Sequence, residues 1–325
     1  MTVGPGMKLL VTGAGGFVGR GLLAFLHARG IGGLATGRTT PESLPAGWRG
    51  CMRTDVLQGR CSQPVDAVVH LEVKQHVPRP TAADVIDFET VNVGGTREWL
   101  EWADRENVAR FVFVSSIKAV AAGSGAMPED SPPERNAPYG RSKAEAEAAV
   151  REWAAADARR TAVILRPAPV YGPGNEANLA AFVRQIIAGK PCLIGRGETR
   201  KSVVSRTNLC AAIAFAAEKP GPGCHAFNVS DPDTPTLADL AAMIANLAGA
   251  RPPRRIPGWL AAAAAPLGDA IEAVTGRDFP LTSARLRAIR ETTIFPCDKL
   301  LAAGFRHPQT TREGLAEMVA WTRRE

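Results

Sequence analysis

A strand-like run that ends in spaced glycines and opens straight into a helical pattern leaves a chain few folds. Lys8 to Thr12 reads as a buried strand, and Val11-Thr12-Gly13-Ala14-Gly15-Gly16-Phe17-Val18-Gly19 follows from its end. Apolar residues then recur at helical spacing through Arg29, at Val18, Leu22 and Leu26. Glycines at 13, 16 and 19 allow a tight turn and let a pyrophosphate approach the backbone with no Cβ in the way. The helix that begins there offers unpaired N–H groups and partial positive charge to phosphates. Gly13, Gly16, Phe17, Val18 and Gly19 are therefore cofactor-binding candidates. A glycine-rich turn with no ligand is the alternative, and the strand–turn–helix context weighs against it.

The rest of the first two-thirds repeats this alternation. Gly33 to Thr36, Asp66 to Leu71, Arg110 to Ser115 and Ala162 to Arg166 read as strands; Asn92 to Glu106 and Pro138 to Ala156 read as helices. A parallel sheet covered by helices has this texture, so the expected class is α/β, a doubly wound parallel (Rossmann) sheet. After Tyr171 the pattern changes. Gly172-Pro173-Gly174 breaks the chain, Leu179 to Ile187 is an amphipathic helix, and Gly189 to Arg200 is loop-rich. Leu209 to Ala217 and Ala226 to Val229 read as a helix and a strand that return to the main sheet. The expected division is a dinucleotide-binding domain over 1–174, rejoined by about 202–231, and a smaller mixed substrate lobe from 175–201 and 232–325.

Composition narrows the class further. With 325 residues, 45% of them hydrophobic and 22% charged, the chain can bury one large core or two modest ones and is no disordered polymer. No apolar run reaches the roughly 20 residues that span a bilayer. The best, Trp259 to Ala265, is cut by Pro266 and reads as one face of a short helix. Met1 to Met7 lacks the layout of a secretory leader, and Met7 can itself be the start. None of the six cysteines (51, 61, 192, 210, 224 and 297) forms a Cys-x-x-Cys pair. Reduced thiols, no metal and a cytoplasmic protein without a membrane partner are the expectation. The net charge of +7 suits an anionic ligand, but the basic residues are scattered, which argues against nucleic acid.

An NAD site usually places an acid about 20 residues beyond the glycines to hold the adenosine ribose. Here Thr36-Gly37-Arg38-Thr39 ends the second strand, with no acid before Glu42. Arg38 offers a planar fork to a 2′-phosphate, which points to NADP over NAD; the alternative is a solvated loop arginine. Asp55, in a turn after a third strand, suits the adenine amino group or is a surface turn residue.

Tyr139-Gly140-Arg141-Ser142-Lys143 sets a phenol and an ammonium on one helix face. The nearby cation is expected to pull the phenol down from its ordinary pKa of about 10 toward the range of an acid–base catalyst. Ser115-Ser116 ends an apolar strand, on the rim where open α/β sheets bind ligands. Ser116 there either orients a substrate oxygen for Tyr139 or bonds local backbone.

These segments occur in one order. Thr-Gly-x-x-Gly-x-x-Gly at 12–19, Asp55, His70-Leu71 and Asn92-Val93-Gly94-Gly95-Thr96 are followed by Ser115-Ser116, Tyr139-x-x-x-Lys143 and Arg166-Pro167-x-x-Val170-Tyr171-Gly172-Pro173-Gly174. Together they resemble the extended short-chain dehydrogenase/reductase family, in its NAD-dependent epimerase/dehydratase branch, over nearly the whole chain. The resemblance implies NAD(P), a substrate that is often a nucleotide sugar, and a possible homodimer through the helices carrying Trp99 and Trp153. It implies Tyr139 as acid–base residue, Lys143 on the nicotinamide ribose and Ser116 on the reacting oxygen. Val56, Leu71 and Asn92 join the cofactor set, Asn92 by supporting the active-site helix. Ser115-Ser116-Ile117-Lys118 resembles the sugar-nucleotide 4-epimerases and 4-reductases, where a basic residue such as Arg200 or Lys201 contacts the diphosphate.

Three departures bear on substrate. Glu72 replaces a small residue, Ala121-Ala122 replaces an aromatic segment, and Thr207-Asn208-Leu209 replaces Asp-Asn-Leu. The resulting expectation is an NAD(P)-dependent epimerase or reductase at a secondary alcohol or ketone carbon of a nucleotide-linked sugar. A reductase of a non-sugar ketone and a non-catalytic NADP-binding sensor are the rivals.

Overall fold

The computed structural model describes residues 6–324 apart from 42, 122, 124, 177, 191, 192, 277, 278 and 280, and without the side chain of 178. Glu42, Ala122 and Cys192 therefore lie outside the described residues. Alternation along Lys8–Thr12 (β1) sends Leu9 and Val11 to one side of a sheet and Leu10 to the other, and all three are sealed from solvent. Continuous burial of this kind is what helices on both faces require.

Gly32–Gly37 (β2), Trp48–Met52 (β3), Ala67–His70 (β4), Arg110–Val114 (β5) and Thr161–Pro167 (β6) follow. Two-residue strands Val170–Tyr171 (β7), Leu193–Ile194 (β8) and Val204–Ser205 (β9) lie outside the main sheet, Gly223–Val229 (β10) returns to it, and Arg255–Ile256 (β11) pairs with β8. The main sheet runs β3-β2-β1-β4-β5-β6-β10, every pair parallel. The order reverses between β1 and β4, and the crevice beyond their C-terminal ends is where such sheets hold ligands.

One face is covered by Phe17–His27 (α1), through Leu22, Leu23 and Leu26. The other is covered by Arg53–Leu57 (α2), Gly95–Arg105 (α4) and Pro138–Ala155 (α5). Ala82–Asp87 (α3) leads through a π-helical stretch, Phe88–Gly94, into α4, so this helix begins ten residues before Asn92 rather than at it. Arg206–Glu218 (α7) and the short Asp298–Ala302 (α11) complete the first face. Asn178–Ile187 (α6), Leu237–Leu247 (α8) and Thr311–Thr322 (α12) enclose a second core, and Gly258–Thr275 (α9) packs on Ser283–Arg290 (α10). Tyr171 and Asn208 both bond the buried Asp231, at 2.7 Å each, and Asn208 also reaches the Gln309 carbonyl. Asn208, one of the departures, thus ties the second core to the sheet.

Three expectations are corrected. Asp55 sits in the first turn of α2, a helix of five residues that periodicity cannot reveal. The α9 helix runs straight through Pro266, because Ala261, Ala265 and Leu286 pack along it and offset the one backbone bond that proline removes. Cys51 and Cys61 are joined in a disulfide, their Cα atoms 6.5 Å apart, because α2 turns the chain back on the end of β3. Cys210, Cys224 and Cys297 are free. On the helices expected to meet in a homodimer, Trp99 and Trp153 themselves face the core, their indoles donating to Glu72 and Asp104.

Candidate active site

The glycine turn lies at the switch point. Gly13 has φ +63°, and a Cβ there would stand 2.9 Å from the backbone of Leu71 and Glu72, while one at Gly19 would stand 2.4 Å from the Gly13 carbonyl. Only glycine lets β1, the end of β4 and the start of α1 approach this closely. Gly15 and Gly16 are exposed, and nothing lies within 4 Å of a Cβ at Gly15. No side chain caps α1 and its first turn holds no acid, so the first-turn amides are free for an anionic group. A dinucleotide pyrophosphate fits this cradle.

At the adenosine end, Arg38 is exposed just past β2. Asp55 accepts from Arg60 at 2.6 Å, the structure's own use for that carboxylate. The Val56 side chain is fully buried and its carbonyl takes the Trp102 indole, so it seals the α2–α4 seam. Glu72 does not crowd the crevice. Its carboxylate accepts from the Trp99 indole at 2.9 Å and from Arg53 at 3.1 Å, and Arg53 also pairs with Glu98. The Leu71 amide donates to the Thr12 hydroxyl, which fixes the β4 end beside the turn.

At the reactive end, Ser116 ends the segment after β5 and caps a short 3₁₀ turn, Ile117–Ala119, accepting from the Lys118 amide at 3.1 Å. Its hydroxyl lies close enough to the Tyr139 phenol to pull the phenol's pKa down. Tyr139 enters at the start of α5, and α5 approaches so tightly that a Cβ on Gly140 would lie 2.3 Å from the Lys118 carbonyl. The expectation of a lowered phenol pKa is corrected. Burial pushes Tyr139 above its ordinary value, and the nearby Ser116 hydroxyl only partly opposes this. Lys143 lies one turn on, 1% exposed, donating to the Val114 carbonyl at 3.1 Å with its ammonium over the Phe113 ring. Burial lowers its pKa to about 7, against the pull of Glu147. Asn92, in the π-helical stretch, donates to Ser142 at 2.9 Å and accepts from the Lys74 amide, so it braces α5 between Tyr139 and Lys143. Beneath the site, Ser115 bonds Glu147, which forms a buried two-pronged pair with Arg166.

Sequence reasoning missed the ring contacts of Tyr139. His76, from the loop after β4, meets it edge-on at 5.5 Å, and Phe88 does so at 5.6 Å. Burial lowers the His76 pKa, and Lys118 lowers it further. Burial lowers the Lys201 pKa, against the pull of Glu291, and Lys118 lowers it further; the Lys201 ammonium reaches the Ala288 carbonyl. Arg200 is turned elsewhere, donating to the Thr234 carbonyl. A cleft of about 480 Å³ opens just before Tyr139, between Ala121 and residues 132–137.

The profile of the NAD dependent epimerase/dehydratase family matches residues 9–230. Over 230 residues the chain is 27% identical to an N-acetyl-α-D-glucosaminyl-diphospho-ditrans,octacis-undecaprenol 4-epimerase of Escherichia coli O157:H7, covering 70% of each. It is 33% identical over 183 residues to a UDP-glucose 4-epimerase of Vibrio cholerae, covering 55% of this chain and 56% of that one. Among solved structures, MoeE5 in complex with UDP-glucose and NAD superposes with a TM-score of 0.75 at 25% identity, over 98% of this chain and 99% of that one.

Proposed function

The chain belongs to the NAD-dependent epimerase/dehydratase family, and from that premise we propose an NAD(P)-dependent epimerase or reductase that acts at a secondary alcohol or ketone carbon of a nucleotide-linked sugar. One observation carries the reading: Ser116, after β5 on the sheet rim, stands by Tyr139 at the start of α5, with the buried Lys143 one helical turn behind. The names of a UDP-glucose 4-epimerase and of a protein holding UDP-glucose and NAD support the nucleotide-linked substrate, and the 4-epimerase of a polyprenol-diphosphate-linked sugar supports a diphosphate-linked sugar more broadly.

The glycine turn and the first turn of α1 hold the pyrophosphate, and Arg38 offers its fork to a 2′-phosphate, which favours NADP over NAD. The bound nicotinamide supplies hydride exchange. Tyr139 gives the proton to the carbonyl oxygen in reduction and takes it from the alcohol in oxidation, while Ser116 fixes that oxygen. Alone, Tyr139 and Lys143 each resist charge, because burial disfavours both phenolate and ammonium. A phenolate with an ammonium one turn away offsets both penalties, so proton removal from Tyr139 is easiest when Lys143 is protonated. Lys118 and Lys201 are the cations that complement a diphosphate in this reading. Residues 175–201 and 232–325 form the substrate lobe in this reading.

The test is turnover of UDP-hexoses and UDP-N-acetylhexosamines with NAD(H) and NADP(H). Tyr139→Phe is expected to lower turnover about 10²- to 10⁴-fold while dinucleotide binding survives. Cofactor retained through purification identifies an epimerase, and exchange at each cycle identifies a reductase. Dinucleotide binding without turnover of any sugar or ketone, or full activity in Tyr139→Phe, overturns the proposal.

A further inference from the structure

Among the described residues, nothing covers the outer face of α9. Trp259 is 74% exposed, Leu267 65% and Val274 87%, with Leu260 beside them. Trp259, Ala263, Leu267, Ala270 and Val274 recur at three- and four-residue steps and form one stripe about 20 Å long. Only Asp269 and Glu272 on this helix are charged, and both are occupied sideways. Asp269 accepts from the amide and hydroxyl of Ser283, and Glu272 accepts from the Phe279 amide and Arg79.

Positive charge borders the stripe. Arg251, Arg254 and Arg255 are exposed on the segment leading into α9, and Arg287 and Arg290 are exposed on α10. A groove of about 350 Å³ between the two helices has an apolar floor of Ala262, Ala265 and Leu286, with both α10 arginines on its wall beside Ser283 and Glu291. One N–H of Arg290 is spent on the Gly258 carbonyl.

We propose that this face docks the protein on an anionic lipid bilayer, with α9 lying in the plane of the interface. An uncharged stripe, an indole at one end and a basic border are what an interfacial helix presents to anionic headgroups. A second copy of the chain is the weaker occupant, because a two-fold contact across this stripe brings the same arginines against each other. The α9–α10 pair also contacts segments near the site: Glu272 holds Arg79 in the loop that carries His76, and the Ala288 carbonyl holds Lys201. The proposal departs from the expectation of no membrane partner and concerns surface docking alone, since among the described residues no helix is long and apolar enough to cross a membrane.

The inference stands apart from the reaction assigned above, and its test reads no turnover. The full chain is floated with phosphatidylcholine vesicles and with phosphatidylcholine–phosphatidylglycerol vesicles. Association with the anionic vesicles that weakens with salt is expected. Trp259→Glu with Leu267→Glu should abolish it, and Arg287→Glu with Arg290→Glu should weaken it by at least about twentyfold, at roughly fivefold for each arginine lost. All four positions are on or near the surface, and an unchanged thermal shift with NADP shows that the variants are folded. No association with anionic vesicles, equal association with both vesicle types, or full association of the Trp259/Leu267 variant overturns the proposal. So does a dimer that this variant dissociates while vesicles remain unbound.

Discussion

Lys143→Met separates what a buried lysine costs the fold from what it contributes to chemistry. The ammonium is 1% exposed and burial lowers its pKa from 10.5 to about 7. At ~1.4 kcal/mol for each tenfold change, that depression corresponds to a charging cost of ~5 kcal/mol, of which ~4 kcal/mol is expressed at about pH 7, where the folded lysine is half-protonated. The unfolded lysine keeps its proton up to about pH 10.5, whereas the folded one releases it near pH 7. Between those limits the unfolded state binds more protons, so the wild-type protein gains stability as pH rises. Methionine keeps most of the side-chain volume and does not titrate, but it forfeits the bond to the Val114 carbonyl, at ~1 kcal/mol. The variant is therefore expected to be more stable than wild type by about 3 kcal/mol near neutral pH, or several degrees in Tm, with the gain shrinking as pH rises toward about 9. Turnover should fall sharply at the same time. Thermal and denaturant unfolding of both proteins at about pH 6 and about pH 9, beside a turnover assay, measures each term. A variant less stable at neutral pH, or a difference that ignores pH, refutes the buried-charge account. Undiminished turnover removes Lys143 from the mechanism.

Two further outcomes are expected. Arg38→Ala should weaken NADPH by about 10- to 100-fold, the worth of a charge-assisted bond to phosphate, and leave NADH nearly unchanged; equal losses in titrations of both would make Arg38 a bystander. Breaking the Cys51–Cys61 bond, by reductant or by Cys51→Ala with Cys61→Ala, should lower stability by ~2–3 kcal/mol through loop entropy and loosen the turn that holds Asp55. Identical melting with and without reductant would contradict this.

What could be read from the sequence was local. The β1–glycine–α1 unit, the strand ending at Ser115-Ser116 and the shared face of Tyr139 and Lys143 depend on residues a few positions apart, and helical and strand periods report those directly. The partners of Glu72, the approach of His76 to Tyr139, the Cys51–Cys61 bond and the burial of Val56 join residues brought together only by sheet order and helix packing. The phenol shows the difference most clearly. Spacing places a lysine beside Tyr139 and argues for a lower pKa, yet burial by distant segments raises it and strips Lys143 of much of its charge near neutrality. Which charges lie within reach is a property of neighbours along the chain. How strongly a group resists carrying charge depends on everything that excludes water around it, and only the folded molecule decides that.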